Sequence, residues 1–206
     1  IIGSFYPAKL VVCDYRFHTT LKPSLLREGL IEALKAFAAL DARSYRDYTS
    51  YWSGGVVADI PEQLIADAIR LKCEVVERDP TESGRRKVLN FGHTTGHAYE
   101  VLTGASHGEG VAFGMIVAVE LSRSLLNLSP KTAEDLIESV RAIYPRFRRP
   151  QVEATEMWAK IAHDKKRSGR DFNFVFLRRL GHHKVVTVKR AQFTRALAAT
   201  EERLSK

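Results

Sequence analysis

Cysteine is nearly absent. Cys13 and Cys73 are the only two in 206 residues, which excludes a disulfide framework and fits a reducing compartment such as the cytoplasm. Long apolar runs are missing too. None approaches the ~20 residues that a bilayer span requires, and no signal peptide opens the chain, so no membrane association is expected. There are no internal repeats and no low-complexity tract. There is also no glycine-rich phosphate loop of the kind that opens a dinucleotide-binding βαβ unit. An initiator methionine is lacking: the chain begins Ile1-Ile2-Gly3, as expected of a fragment or a processed product.

What remains is an ordinary globular composition. Apolar residues make up 45%, and the length suits one large domain or two small ones. The formal net charge is +8 and the pI near 9.6. That excess of cations reads either as a solvated basic surface or as preparation for an anionic partner: nucleic acid, an acidic surface, or a phosphorylated or carboxylated metabolite.

Hydrophobic periodicity predicts a mainly helical body with minor strands at both ends. Leu10-Val11-Val12-Cys13-Asp14 reads as a short buried strand. Helices are expected from Pro23 through Ala38, over 43–52, and from Ile60-Pro61-Glu62 to a break at Pro80 and Gly84. Further helices are expected from the histidine run to Gly104, over Ser106–Leu126, over 130–143 and 151–167, and finally over 189–204. Phe172–Leu177 and Lys184–Val188 around Gly181 predict a hairpin.

Three of the seven histidines fall within fifteen residues, in Asn90-Phe91-Gly92-His93-Thr94-Thr95-Gly96-His97-Ala98-Tyr99-Glu100 and Ser106-His107-Gly108-Glu109-Gly110. Imidazole is the commonest metal ligand and the commonest general acid/base near neutral pH. His93 and His97 are four apart and share one face of a helix. Two imidazoles do not complete a catalytic metal site, which takes about three protein ligands and an open position. His107 could add a ligand across a turn, with one of several carboxylates as the remaining partner. The same histidines could equally be ordinary core or surface residues. Gly92 and Gly96 allow backbone or ligand to come close. Glu32 and Lys35, three apart, read in isolation as an exposed ion pair. Lys72, Arg85, Arg86 and Lys87 read as a solvated basic face or as a clamp for phosphate and carboxylate. The Asp164-Lys165-Lys166-Arg167-Ser168-Gly169 turn has the same two readings. Arg146-Phe147-Arg148-Arg149 is a poor signal for nucleic acid.

Taken together, these stretches resemble a known family. Leu89 to Glu100, with Ser106-His107-Gly108-Glu109-Gly110-Val111-Ala112-Phe113-Gly114-Met115, is similar to the signature of the 3-dehydroquinate synthases. Gly29-Leu30-Ile31-Glu32-Ala33-Leu34-Lys35 resembles that family's glutamate–lysine helix. Ile2-Gly3-Ser4-Phe5-Tyr6-Pro7 resembles the segment leaving its nucleotide domain, and the Asp164-Lys165-Lys166 turn with its hairpin also matches. Thr95 stands where the family usually has a larger apolar residue, and Gly110 where it has alanine.

The resemblance implies a helical metal- and substrate-binding domain over 21–206, with 1–20 left from an N-terminal α/β nucleotide domain. It implies Glu32, His93 and His107 as ligands to Zn2+ or Co2+. His97 would be catalytic or substrate-binding, and Lys35, Lys72, Arg86, Asn90 and one of Lys165 or Lys166 would line the substrate site. It implies tightly bound NAD, held largely outside this chain, a small anionic sugar-acid phosphate as substrate, and a homodimer for the full-length enzyme. The reaction implied is cyclisation of 3-deoxy-arabino-heptulosonate 7-phosphate to 3-dehydroquinate with loss of phosphate, in the shikimate pathway to chorismate and the aromatic amino acids. NAD would oxidise a ring hydroxyl, phosphate would leave by elimination, the hydride would return, and an aldol would close the carbocycle. Rival readings are a natural-product sugar phosphate cyclase whose substrate lacks the carboxylate, or an inactive fragment without the NAD domain. A polyol dehydrogenase fits the order of Glu, His and His poorly, and a nucleic-acid module leaves the histidines unexplained.

Overall fold

The computed structural model describes Tyr6, residues 8–48, Tyr51, 60–149, 151–164 and 172–205. Among the described residues are eight α-helices and one hairpin: α1 (Pro23–Leu40), α2 (Ala42–Asp47), α3 (Glu62–Arg78), α4 (His93–Thr103), α5 (His107–Leu126), α6 (Pro130–Ile143), α7 (Ala154–Asp164), β1 (Phe172–Arg179), β2 (His182–Val188) and α8 (Arg190–Leu204). Two 3-10 turns, Tyr15–Thr20 and Arg85–Asn90, precede α1 and α4.

The fold is built around α5. Val111 through Val119 is an unbroken apolar run apart from Gly114, and fourteen of the helix's twenty residues are buried. A helix apolar on every side must lie in the middle, and α5 packs against α1, α4, α6, α8 and β1. The flanking helices bury one stripe each. α6 turns Ala133, Leu136, Ile137, Val140 and Ile143 inward, the spacing that 3.6 residues per turn requires. Pro130 at its first turn and the Ser129 hydroxyl accepting from Thr132 N–H begin it cleanly. β1 pairs antiparallel with β2, Phe172 opposite Val188 and Val175 opposite Val185, and Gly181 turns the hairpin at φ 72°. Phe174, Phe176 and Leu177 close the core over α5 and α8.

The α4–α5 pair sets the site. α4 begins at Gly92, whose φ of 82° is left-handed and favours glycine. A Cβ on Gly96 would come within 2.8 Å of the Gly110 carbonyl oxygen, and one on Gly114 would collide with that of Gly92. The glycines of the histidine run therefore serve close helix packing. Tyr99 stacks on Phe113 across the same seam, ring centroids 4.2 Å apart.

Two expectations need correction. Residues 10–14 form no strand: Leu10, Val11 and Val12 are 79%, 72% and 81% exposed, and extended backbone becomes a strand only beside a partner, which the described residues do not provide. The helix expected over 43–52 is Ala42–Asp47; Asp41 caps its start, Tyr48 ends it, and 49–50 with 52 lie outside the described residues. The break expected at Pro80 and Gly84 holds: α3 ends at Arg78, and the 3-10 turn Arg85–Asn90 follows it.

Candidate metal centre and anion cleft

Glu32 and Lys35 share a face of α1 and are no surface pair. Lys35 is 3% exposed, and its Nζ donates to Glu32 Oε2 at 2.7 Å. The other carboxylate oxygen, Oε1, is shut off from solvent with no hydrogen-bond partner. It faces His93 Nε2 at 3.6 Å and His107 Nε2 at 3.9 Å. A buried carboxylate oxygen with no donor is costly; at 3.6 and 3.9 Å neither imidazole nitrogen hydrogen-bonds it, and a cation held between the three atoms would satisfy all of them. Ligands of a tetrahedral zinc at about 2.0–2.1 Å lie about 3.3 Å from one another, close to the spacing here. The donor set of one carboxylate and two imidazoles, all ligand atoms within 4.8 Å of one another, fits Zn2+ or Co2+.

The electrostatics agree. Burial would raise the Glu32 carboxyl, but the Lys35 ammonium and the two imidazoles outweigh it and hold the group below its ordinary range. Burial, helped by Lys35, depresses His93 to about 4, so its ring is neutral at physiological pH, the form that binds metal. Burial also lowers Lys35, against the pull of Glu32, and Lys72 nearby lowers it further.

A cleft of about 390 Å³ opens beside this centre, lined by Glu32, Lys35, Lys72, Glu82, Arg86, Asn90 and His93 among others. Residues from Gly29 to His93 meet there because α1 and α3 both pack against the Arg85–Asn90 turn. Asp79 shapes its rim. Its buried carboxylate accepts from the N–H groups of Arg86, Gly84 and Ser83 at 2.8–2.9 Å and from the Ser83 hydroxyl at 3.1 Å. Those donors hold its pKa at about 2. Arg86 Nη1 donates to the Pro80 carbonyl at 2.9 Å, and Asn90 Nδ2 to Glu82 Oε1 at 2.7 Å. His97 is exposed beside the centre, its ring centroid 5.3 Å from that of His93 and 6.0 Å from that of His107. Lys165 and Lys166 lie outside the described residues.

The structure thus brings Glu32, Lys35, Lys72, Arg86, Asn90, His93, His97 and His107 to one place. Two carboxylates join them that the motifs did not single out. Glu82 sits in the cleft with φ 57°, a conformation that leaves no mark in sequence. Glu100 reaches His107 Nδ1 at 3.2 Å; its spacing of three from His97 was the legible hint. A larger groove of about 840 Å³ between α5, α6 and α8 holds no comparable chemistry. There Arg203 bridges Glu120 and Glu134, and Arg123 also pairs with Glu120.

Comparison with known proteins matches residues 29–167 to the model of the 3-dehydroquinate synthase C-terminal family. The chain belongs to that family. Among relatives, the 3-dehydroquinate synthase of Latilactobacillus sakei is 33% identical over 199 residues, which is 96% of this chain and 55% of the relative. That of Geotalea uraniireducens is 37% identical over 198 residues, 91% and 54% respectively. The chain therefore spans about half the length of these 3-dehydroquinate synthases. Two solved structures share the fold. The 2-epi-5-epi-valiolone synthase of Streptomyces hygroscopicus, with NAD+ and Zn2+ bound, has a TM-score of 0.85 at 23% identity, covering 98% of this chain and 58% of that one. A 2-deoxy-scyllo-inosose synthase complexed with carbaglucose-6-phosphate, NAD+ and Co2+ has 0.79 at 21%, covering 97% and 58%.

Proposed function

We propose that this chain is the metal- and substrate-binding part of a 3-dehydroquinate synthase, residues 21–206 forming that domain and 1–20 leading from the nucleotide domain. Glu32, His93 and His107 hold one Zn2+ or Co2+. The observation that carries the reading is the buried, unpartnered Glu32 Oε1 facing two imidazole nitrogens at the end of a basic cleft. When bound, the ion would grip vicinal hydroxyls and polarise a carbonyl.

The chain's own side chains do the rest. Lys72 and Arg86 meet the phosphate and carboxylate of the substrate, the planar guanidinium suiting two-point contact. Lys35, buried and tied to Glu32, adds fixed positive charge near the reacting carbons. Asn90 orients hydroxyls, one of Lys165 or Lys166 closes the anion site, and His97 exchanges protons with the substrate beside the centre, a role supported by its exposure. NAD, present in both solved relatives, is held chiefly by the half of the relatives' length that this chain does not match. The full-length enzyme is a homodimer in this reading. Among the described residues no helix is long and apolar enough to cross a membrane, and the cytoplasm is the proposed site of action.

The second reading, a natural-product sugar phosphate cyclase, is favoured by the TM-score of 0.85. Its substrates carry no carboxylate, so Arg86→Ala is expected to cost such an enzyme less. The primary test is calorimetric titration of the metal-free chain with zinc. One ion is expected to bind tightly to the unmodified chain and to be lost in both His93→Ala and His107→Ala. Unchanged binding in either variant would overturn the ligand assignment.

A further inference from the structure

His107 has a carboxylate oxygen on the side of each ring nitrogen. Its Nε2 faces Glu32 Oε1 at 3.9 Å, while its Nδ1 lies 3.2 Å from Glu100 Oε1. A neutral imidazole carries one N–H and one lone pair. If Nδ1–H donates to Glu100, the lone pair is left on Nε2, pointing toward Glu32 and His93. Glu100 is well placed to enforce this. It follows His93 and His97 on one stripe of α4, at intervals of four and three, and its side chain is only 23% exposed. Gly110 opposite leaves it room: a Cβ there would come within 2.5 Å of Glu100 Cγ and 2.8 Å of Oε1.

We infer that Glu100 is a positioning residue of the metal centre, fixing His107 in the Nδ1–H tautomer so that Nε2 is presented to the ion. This rests on the metal reading above. The ligand atoms of His97, Glu100 and His107 also cluster within 4.8 Å, but that set shares His107 with the first, and the unpartnered buried oxygen belongs to Glu32. One ring committed by Nε2 to an ion at Glu32 has only its Nδ1–H for Glu100. Carboxylates placed this way orient ligating histidines and raise their basicity, and losing one weakens metal binding roughly 10–100-fold.

The test uses the full 206-residue chain and Co2+, read by titration and by the visible absorption of the bound ion. Glu100→Ala is expected to bind Co2+ roughly 10–100-fold more weakly with an altered spectrum. Glu100→Gln, which keeps an acceptor for Nδ1–H, is expected to bind more tightly than Glu100→Ala. The tautomer of His107 in the metal-free unmodified chain, read from nitrogen NMR shifts, is expected to be Nδ1–H. If the unmodified chain binds no Co2+, the metal reading itself fails and takes this inference with it. If it binds one ion and Glu100→Ala binds equally well, the inference fails alone. Two ions per chain, one lost in Glu100→Ala, would make Glu100 a ligand and overturn it. Should Glu100→Ala fail to fold, the tautomer decides: Nδ1–H upholds the role and Nε2–H overturns it.

Discussion

At the scale of single residues, the cleft is a problem of charge. Lys35 is buried beside Glu32, and Lys72 and Arg86 stand next to it without acidic partners of equal number. Such a site attracts an anion. Inorganic phosphate is expected to bind the chain, and Lys72→Ala or Arg86→Ala to weaken it about 10–100-fold, since a hydrogen bond to a charged group contributes about 1.5–3 kcal/mol; isothermal titration reads this directly. Asp79 makes a second prediction. Its pKa is about 2 in the folded chain against an ordinary 3.8. A group depressed on folding stabilises the fold fully above the unfolded value and loses that contribution as pH falls toward the folded one. The gap in melting temperature between the unmodified chain and Asp79→Asn should therefore be constant above about pH 5 and shrink between 3.8 and about 2. A gap that does not change across that window would show that the carboxylate is not what the three N–H groups hold.

At the scale of elements, the decisive contact is the glycine seam between α4 and α5. It brings His93 and His97 against His107, which starts the next helix. Gly114→Ala would drive a methyl group into the Gly92 carbonyl. Overpacking of this kind costs about 1–3 kcal/mol, so thermal unfolding should shift downward by that amount. The displaced α4 carries the proposed ligand His93, so zinc affinity should drop as well. A variant that loses stability but keeps full affinity would mean the seam holds the fold without setting the site. The 3-10 turn Arg85–Asn90 plays a similar part on the other wall, where Asp79 anchors it and aims Arg86 and Asn90 into the cleft.

At the scale of the whole molecule, one core centred on α5 supports everything. Phe113 is fully buried, stacked on Tyr99 and edge-on to Phe147. Phe113→Ala should cost about 3–5 kcal/mol, measurable by denaturant unfolding, and loosen the floor of the site. The chain matches 55% of the Latilactobacillus sakei enzyme. We expect the 206 residues alone to bind metal and anion without turning substrate over when NAD is added. Activity should appear when the chain is mixed with, or fused to, the remaining part of such a relative. Full turnover by the isolated chain would overturn this division of labour.

Much of this protein was legible in its residues. Periodicity located nearly every helix, because most bury a stripe at 3.6-residue spacing, several of them against α5, and α5 itself stood out as apolar on all sides. The histidine run with its glycines announced the chemistry, and its resemblance to the 3-dehydroquinate synthases assigned roles to it. Local pattern failed where the deciding neighbours lie far along the chain. Leu10–Asp14 has the residues of a strand but no neighbour to pair with among the described residues. Glu32 and Lys35 looked like a solvent-exposed pair, and only the packing of α1 against α5 and the Arg85–Asn90 turn buried Lys35 and shut Glu32 Oε1 off from solvent. Glu82 gave no sequence sign of its place, and Glu100 only its spacing of three from His97, since a left-handed backbone at one and a glycine gap opposite the other exist only once the helices meet. The sequence determined which residues could do the chemistry; tertiary packing decided which nitrogen and which oxygen face one another, because those distances depend on helices separated by tens of residues.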